Sequence, residues 1–272
     1  MTGWRALACQ GVRAVEAAFV RARKEGRSAL ITYLTMGYPT LDAALELVPA
    51  LGAGGADIIE LGVPFSDPVA DGPAIQLASH RALQAGMTPA LCLEQTARLR
   101  EAGVQAPLLL MSYYNPIYHY GQQEYVRDCR RAGADGLIVP DLPPEEADGL
   151  AGACRREGLA LVFLVAPTTG EERLREIAGR STGFLYVISR LGTTGADKRF
   201  DIMELGRRLE WVRRLSPVPV AVGFGISLAE QARALAGLAD GVIIGSAVVE
   251  RAPQGPAALR DFAAGLRAAL GK

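Results

Sequence analysis

Eight times along this chain a short apolar run is followed by a segment whose apolar residues recur at helical spacing, and that alternation leaves few folds open. The runs cover 29–36, 57–63, 107–114, 136–139, 160–165, 184–189, 219–222 and 241–244. They are continuous rather than alternating, as strands are in a parallel sheet covered by helices. Helical spacing occupies 41–51, 73–84, 89–102, 122–132, 145–156, 171–178, 202–215, 228–238 and 256–270, and one further amphipathic segment, 10–26, precedes the first run. Glycines such as Gly26 and Gly52 stand where these helices end. Regular βα units in this number predict a (β/α)8 TIM barrel with an extra N-terminal helix. An open doubly wound sheet is disfavoured, because no G-x-G-x-x-G fingerprint follows the first strand. With no low-complexity segment and no linker, residues 1–272 are expected to form one barrel domain.

Composition narrows the partners. Half of the residues are hydrophobic, enough for a large core, and 29 basic side chains balance 29 acidic ones, so the basic footprint of a nucleic-acid binder is absent overall. The first twenty residues hold no continuous apolar segment of the signal-peptide type, and no run is long enough to span a bilayer. Cys9, Cys92, Cys129 and Cys154 are far apart and form no C-x-x-C pair, the pattern of reduced thiols in a cytoplasmic protein.

The second run carries a carboxylate, Glu60, inside an otherwise apolar strand. Burying it needs a reason: either an arginine partner or acid–base work. Gly62, Pro64, Pro68, Gly72 and Pro73 then mark a loop that carries Asp67 and Asp71. Asp67, just before Pro68, reads first as a turn cap. An acid near the carboxyl end of a strand, with others on the loop beyond, is an arrangement that barrel enzymes use.

Loops at the carboxyl ends of the other strands would bring Tyr33, Tyr113, Asn115, Asp141, Tyr186, Arg190, Gly195, Gly223, Gly225, Gly245 and Ser246 to the same mouth. Glycine pairs after the seventh and eighth strands, with backbone N–H groups of a short helix after the eighth, make a cradle for a phosphate. The lysines, Lys24, Lys198 and Lys272, lie on no strand, which disfavours a Schiff-base aldolase. His80 is placed on a helix and His119 in a loop, without neighbours that would complete a metal site. What remains is acid–base chemistry by carboxylates and tyrosine on a phosphate-anchored substrate.

The stretch 59–73, Ile-Glu-Leu-Gly-Val-Pro-Phe-Ser-Asp-Pro-Val-Ala-Asp-Gly-Pro, resembles the signature of the tryptophan synthase alpha subunit family. The resemblance extends over 29–249 through Tyr33-Leu-Thr-Met-Gly-Tyr-Pro39, Tyr113-Tyr-Asn-Pro116, Val139-Pro-Asp-Leu-Pro-Pro-Glu-Glu146, Ser189-Arg-Leu-Gly-Thr-Thr-Gly195, Gly223-Phe-Gly-Ile-Ser227 and Gly245-Ser-Ala247. Thr193 departs from it, standing where an apolar residue is expected, and the segment before Phe19 is slightly long.

The resemblance implies a lyase that splits indole-3-glycerol phosphate into indole and glyceraldehyde 3-phosphate. It implies Glu60 as the principal acid–base residue, Asp71 as the carboxylate on the indole N–H, and Tyr186 as a supporting donor. Tyr33, Ile75, Leu110 and Tyr113 would wall the indole slot. Gly195, Gly223, Phe224, Gly225, Gly245 and Ser246 would surround the phosphate end, and Thr194 would lie on a loop that closes over the site. It implies no cofactor on this chain, pyridoxal phosphate being expected only on a beta-subunit partner in an α2β2 heterotetramer, with 64–71 and the Asn115-Pro116 turn facing that partner. A sugar-phosphate isomerase, a non-catalytic scaffold and a lyase that releases free indole are the competing readings.

Overall fold

The structure, a computed structural model, describes residues 11–189, 202–223 and 229–271. Its strands are β1 (Ala29–Thr35), β2 (Ile58–Gly62), β3 (Leu108–Met111), β4 (Gly136–Ile138), β5 (Ala160–Val162), β6 (Leu164–Val165), β7 (Leu185–Ile188), β8 (Val220–Gly223) and β9 (Gly241–Ile244). All pair in parallel, in the order β5-β4-β3-β2-β1-β9-β8-β7-β6. The two ends of that order are halves of one extended run, interrupted only at Phe163, whose carbonyl accepts the Tyr186 N–H at 3.0 Å. The sheet therefore closes on itself as a barrel of eight staves.

Side chains alternate along each stave. Ala29, Ile31, Ile58, Leu109, Ile138, Ala160, Val162, Tyr186, Ala221 and Ile243 pack together inside. Leu30, Leu34, Ile59, Leu61, Leu108, Leu110, Val220, Val222 and Ile244 pack outward against the helices. The helix Val12–Lys24 closes the end where the strands begin, pressing Val15, Ala18, Phe19 and Ala22 onto the inner residues. Phe19 meets Phe184 at 5.5 Å between ring centres. A Cβ on Gly241 would lie 2.9 Å from the Phe19 ring, so the glycine makes room for the plug.

At that same end, strands are clasped at their first residues. Asp57 donates its N–H to Leu30 O (2.8 Å) and accepts the Leu30 N–H on its carboxylate (2.8 Å). Asp135 does the same with Leu108 (2.8 and 3.0 Å), Asp240 with Val220 (2.8 and 2.9 Å), and Thr182, by its hydroxyl, with Leu161 (3.0 and 2.8 Å). Arginines complete the acidic clasps: Arg27 grips Asp57 with both terminal nitrogens (2.6 and 2.8 Å), Arg100 pairs with Asp135, and Arg23 and Arg213 meet Asp240.

The helices Pro73–Gln84, Gln122–Ala132 and Ile202–Leu215 and the last strand have the predicted bounds. The third strand is shorter than expected. It ends at Met111, and Asn115-Pro116 falls in the first turn of a short helix, Tyr114–Tyr120, where a proline costs no hydrogen bond. His119 consequently lies on a helix, not in a loop. Cys92, Cys129 and Cys154 are free and buried; Cys9 lies outside the described residues.

The clasp at Asp57 is the one that sets β1 against β2. Asp57→Ala leaves the Arg27 side chain, only 4% exposed, with the half-exposed Glu25 as its remaining charge partner and the Leu30 N–H without its acceptor. Urea denaturation should show a loss of about 3 kcal/mol, with Asp57→Asn, which keeps an acceptor, falling between the two.

Candidate active site

The register of the first two staves builds the site. Tyr33 pairs with Glu60, and Glu60 with Leu109; Thr35 pairs with Gly62, and Gly62 with Met111. Ile31 and Ile58, one step below, face the lumen, so Tyr33 and Glu60 face it too. Glu60 is 1% exposed, and its Oε1 has no hydrogen-bond partner. Of the two roles open to a strand carboxylate, the arginine pair is not the one found: among the described residues no cation meets it. Burial alone pushes its pKa up to about 8.

Asp71 comes in from the loop beyond β2. Its N–H bonds Pro68 O (3.0 Å), and its carbonyl accepts Gln76 Nε2 (2.9 Å) from the first turn of the helix Pro73–Gln84. Tyr113, following β3, holds that loop: its ring stacks on Phe65 at 5.2 Å, and its hydroxyl accepts the Ala70 N–H (2.9 Å). Burial raises Asp71 to about 6, and a hydrogen bond from Tyr113 opposes the rise. Near neutral pH the site thus holds one protonated and one ionised carboxyl group. Asp67 is different. It is exposed, bonded to Ser66 Oγ (2.5 Å), and belongs to the turn.

Tyr186 points inward from β7, its hydroxyl over Gly223, where a Cβ would come within 2.4 Å. Burial above all, then Glu60 and Asp71, hold this phenol well above its ordinary pKa. Tyr33 crosses the mouth: its Cβ lies beside Gly245, and its hydroxyl covers Gly62, where a Cβ would lie 2.0 Å away. Ile75 reaches toward Gly245, and Ser246, which opens the helix Ser246–Arg251, lies 3.8 Å from where a Cβ on Gly72 would be. Glu60, Asp71, Tyr186, Tyr33, Tyr113, Ile75, Gly223, Gly245 and Ser246 are therefore gathered at one end of the barrel. Asp141 is occupied otherwise, accepting the Tyr114 N–H at the start of the short helix (2.8 Å). Thr194, Gly195, Phe224 and Gly225, like Arg190, Thr193 and Lys198, lie outside the described residues.

Leu110 does not join them. It pairs with Leu61 and packs outward with the helices, so the expectation that it walls the slot is corrected. Strand alternation turns Leu109 and Met111 inward instead. Met111, Leu164 and Ile188, partly buried against the inner cluster, were missed. Counting by twos from Glu60 across the ladder would have found Met111. Among the described residues, no group of His, Cys, Asp and Glu could hold a metal ion.

A carboxyl group that binds its proton more tightly folded than unfolded stabilises most at low pH, and this contribution fades as pH climbs toward the folded value. For Glu60 that window runs from 4.5 to about 8. Glu60→Gln removes the cost of taking up a proton on folding, so it should be more stable than wild type by up to about 3 kcal/mol at neutral pH. Thermal unfolding should show this gap closing as the pH falls to 5.

The chain was compared with known proteins. The sequence model of a family described as tryptophan synthase alpha chain matches residues 19–268. The tryptophan synthase alpha chain of Roseiflexus sp. (strain RS-1) is 51% identical over 254 residues, covering 92% of this chain and 97% of that protein. The tryptophan synthase of Saccharomyces cerevisiae is 46% identical over 233 residues, covering 85% of this chain but 33% of that longer protein. Among solved structures, tryptophan synthase of Mycobacterium tuberculosis superposes with a TM-score of 0.88 at 38% identity, covering 95% of this chain and 98% of that one.

Proposed function

The chain belongs to the tryptophan synthase alpha chain family, and on that premise we infer how its residues divide the work. It is a carbon–carbon lyase of tryptophan biosynthesis, cleaving indole-3-glycerol phosphate to indole and glyceraldehyde 3-phosphate in partnership with a beta chain. The alpha reaction needs no cofactor, pyridoxal phosphate belonging to the beta chain.

The single observation that supports the assignment of roles is an unpartnered, buried Glu60 with its pKa near 8, beside an Asp71 near 6. Glu60 delivers its proton to C3 of the indole, which turns the ring into an electron sink. The ionised Asp71 receives the ring N–H and stabilises the positive charge that develops there. Glu60, now a carboxylate, takes the proton of the hydroxyl on the carbon attached to C3. The carbon–carbon bond breaks, its electron pair restores the aromatic ring, and the former hydroxyl becomes the aldehyde. One proton is given and one is taken, so the residue ends as it began.

Tyr186 serves as a supporting donor, with Tyr33, Ile75, Tyr113 and Met111 walling the ring. The backbone at Gly223, Gly245 and Ser246 would hold the phosphate together with Gly195, Phe224 and Gly225, and Thr194 would close the site. We take residues 1–272 as one domain, since all described strands form one sheet. Val69 and Tyr118, 78% and 67% exposed, stand beside the mouth and suit a face that receives the beta chain. Among the described residues no helix is long and apolar enough to cross a membrane. The free buried thiols fit a cytoplasmic protein.

Indole release measures these roles. Glu60→Gln should lose on the order of a thousandfold in turnover while an unreactive substrate analogue still binds; undiminished turnover removes Glu60 from the mechanism. Asp71→Asn should lose on the order of a hundredfold. Glu60 must be protonated and Asp71 ionised, so kcat/KM of the wild type should rise through pH about 6 and fall through about 8. Asp71→Asn should abolish the acid limb alone. Mixing with a beta chain should yield a complex that turns over faster than the isolated chain.

A further inference from the structure

We propose that Tyr33 is more than a wall of the ring slot: its phenol donates a hydrogen bond to the hydroxyl oxygen of the substrate's reacting carbon, the same hydroxyl whose proton passes to Glu60. The inference rests on the lyase reading above and assigns the contact that reading leaves open.

Tyr33 and Glu60 are direct neighbours across the β1–β2 ladder, with both side chains directed into the lumen. The two side chains rise from paired positions on neighbouring strands about 4.8 Å apart, and the phenol lies near enough to Asp71 and Glu60 to feel the charge of both. The Tyr33 ring has little freedom there. Its root is fixed beside Gly245 and its tip over Gly62, whose missing side chain is what admits the hydroxyl. Thr35 Oγ1 donates to the phenol oxygen at 3.3 Å. That bond occupies a lone pair and leaves the phenol's own proton without an acceptor among the described residues. Glu60 Oε1, next to it, is an acceptor without a donor. The two do not satisfy one another.

A buried donor and a buried acceptor left open side by side describe the group that fits between them. It must accept from Tyr33 and donate to Glu60, and a hydroxyl does both. A keto oxygen could serve only the tyrosine, and an ammonium only the carboxylate. As the carbon–carbon bond breaks, charge gathers on this oxygen once its proton has gone to Glu60, and the phenol is already aimed at it. Burial above all, then Asp71 and Glu60, keeps the phenol protonated, so it remains a donor at every working pH.

Tyr33→Phe keeps the ring and removes only the hydroxyl. The test measures kcat/KM for indole-3-glycerol phosphate and the Kd of its analogue lacking the hydroxyl on the carbon attached to the ring. The expected result is a loss of roughly tenfold in kcat/KM with analogue binding unchanged. A kcat/KM retained within about twofold overturns the proposal, and so does an equal loss in both measurements, which would make Tyr33 a wall only. A wild-type chain that releases no indole, with or without a beta chain, would instead sink the lyase reading itself. Should the variant lose its cooperative thermal transition, Thr35→Val carries the test. It keeps the phenol and removes the donor that directs it, and the same selective loss is expected, its absence overturning the proposal.

Discussion

The site depends on the register between the first two strands. A parallel pair with apolar residues on both faces can slide without an obvious hydrophobic penalty, and one residue of slip would turn Glu60 out among the helices. The Asp57–Leu30 clasp forbids it. It binds the two strands at their first residues through backbone and side chain together, with Arg27 holding the carboxylate from behind. Three residues further along each strand stand Tyr33 and Glu60. The spacing from clasp to chemistry is the same on both strands, so polar work at the closed end of the barrel decides what meets at the open one.

Closure of the barrel makes that register expensive to satisfy. Phe19 and its neighbours plug the bottom, Ile31, Ile58, Leu109 and Ile243 fill the middle, and Glu60 is left almost wholly buried. A carboxyl group in such surroundings either finds a cation or keeps its proton. Here it keeps its proton, and the large apolar core absorbs the penalty. The same dryness strengthens every dipole aimed into the site.

Much of this was legible in the sequence because apolar runs, helix caps and turn glycines act locally. Glu60 stood out because a charge inside an apolar strand is costly, and Asp71 through the signature stretch 59–73 that carries the family resemblance. What escaped is what local pattern does not encode. Pro107-Leu-Leu-Leu-Met111 is apolar on both faces, so nothing within it says which residues look inward, and Leu110 was assigned to the wrong side. The phase comes only from pairing with Glu60. Asn115-Pro116 reads as a stop, yet proline also suits a first helical turn, which hid the helix Tyr114–Tyr120. The break at Phe163 leaves no trace in composition, because it arises where one stave meets two neighbours.

The two carboxyl groups differ because the chain supports them differently. Glu60 sits on a strand with its Oε1 unbonded, so burial dominates its environment and favours the acid. Asp71 sits on a loop that Tyr113 ties down through Ala70 and Phe65, and the hydrogen bond it receives favours the anion. A proton donor for carbon and a fixed negative charge for nitrogen are what the cleavage asks for, and they require opposite protonation states in one small pocket. Two carboxylates on the same strand would share one environment and compete for a single proton. Placing one on the barrel wall and one on a tethered loop separates their affinities, and the hydrogen bond from Tyr113 acts on the second.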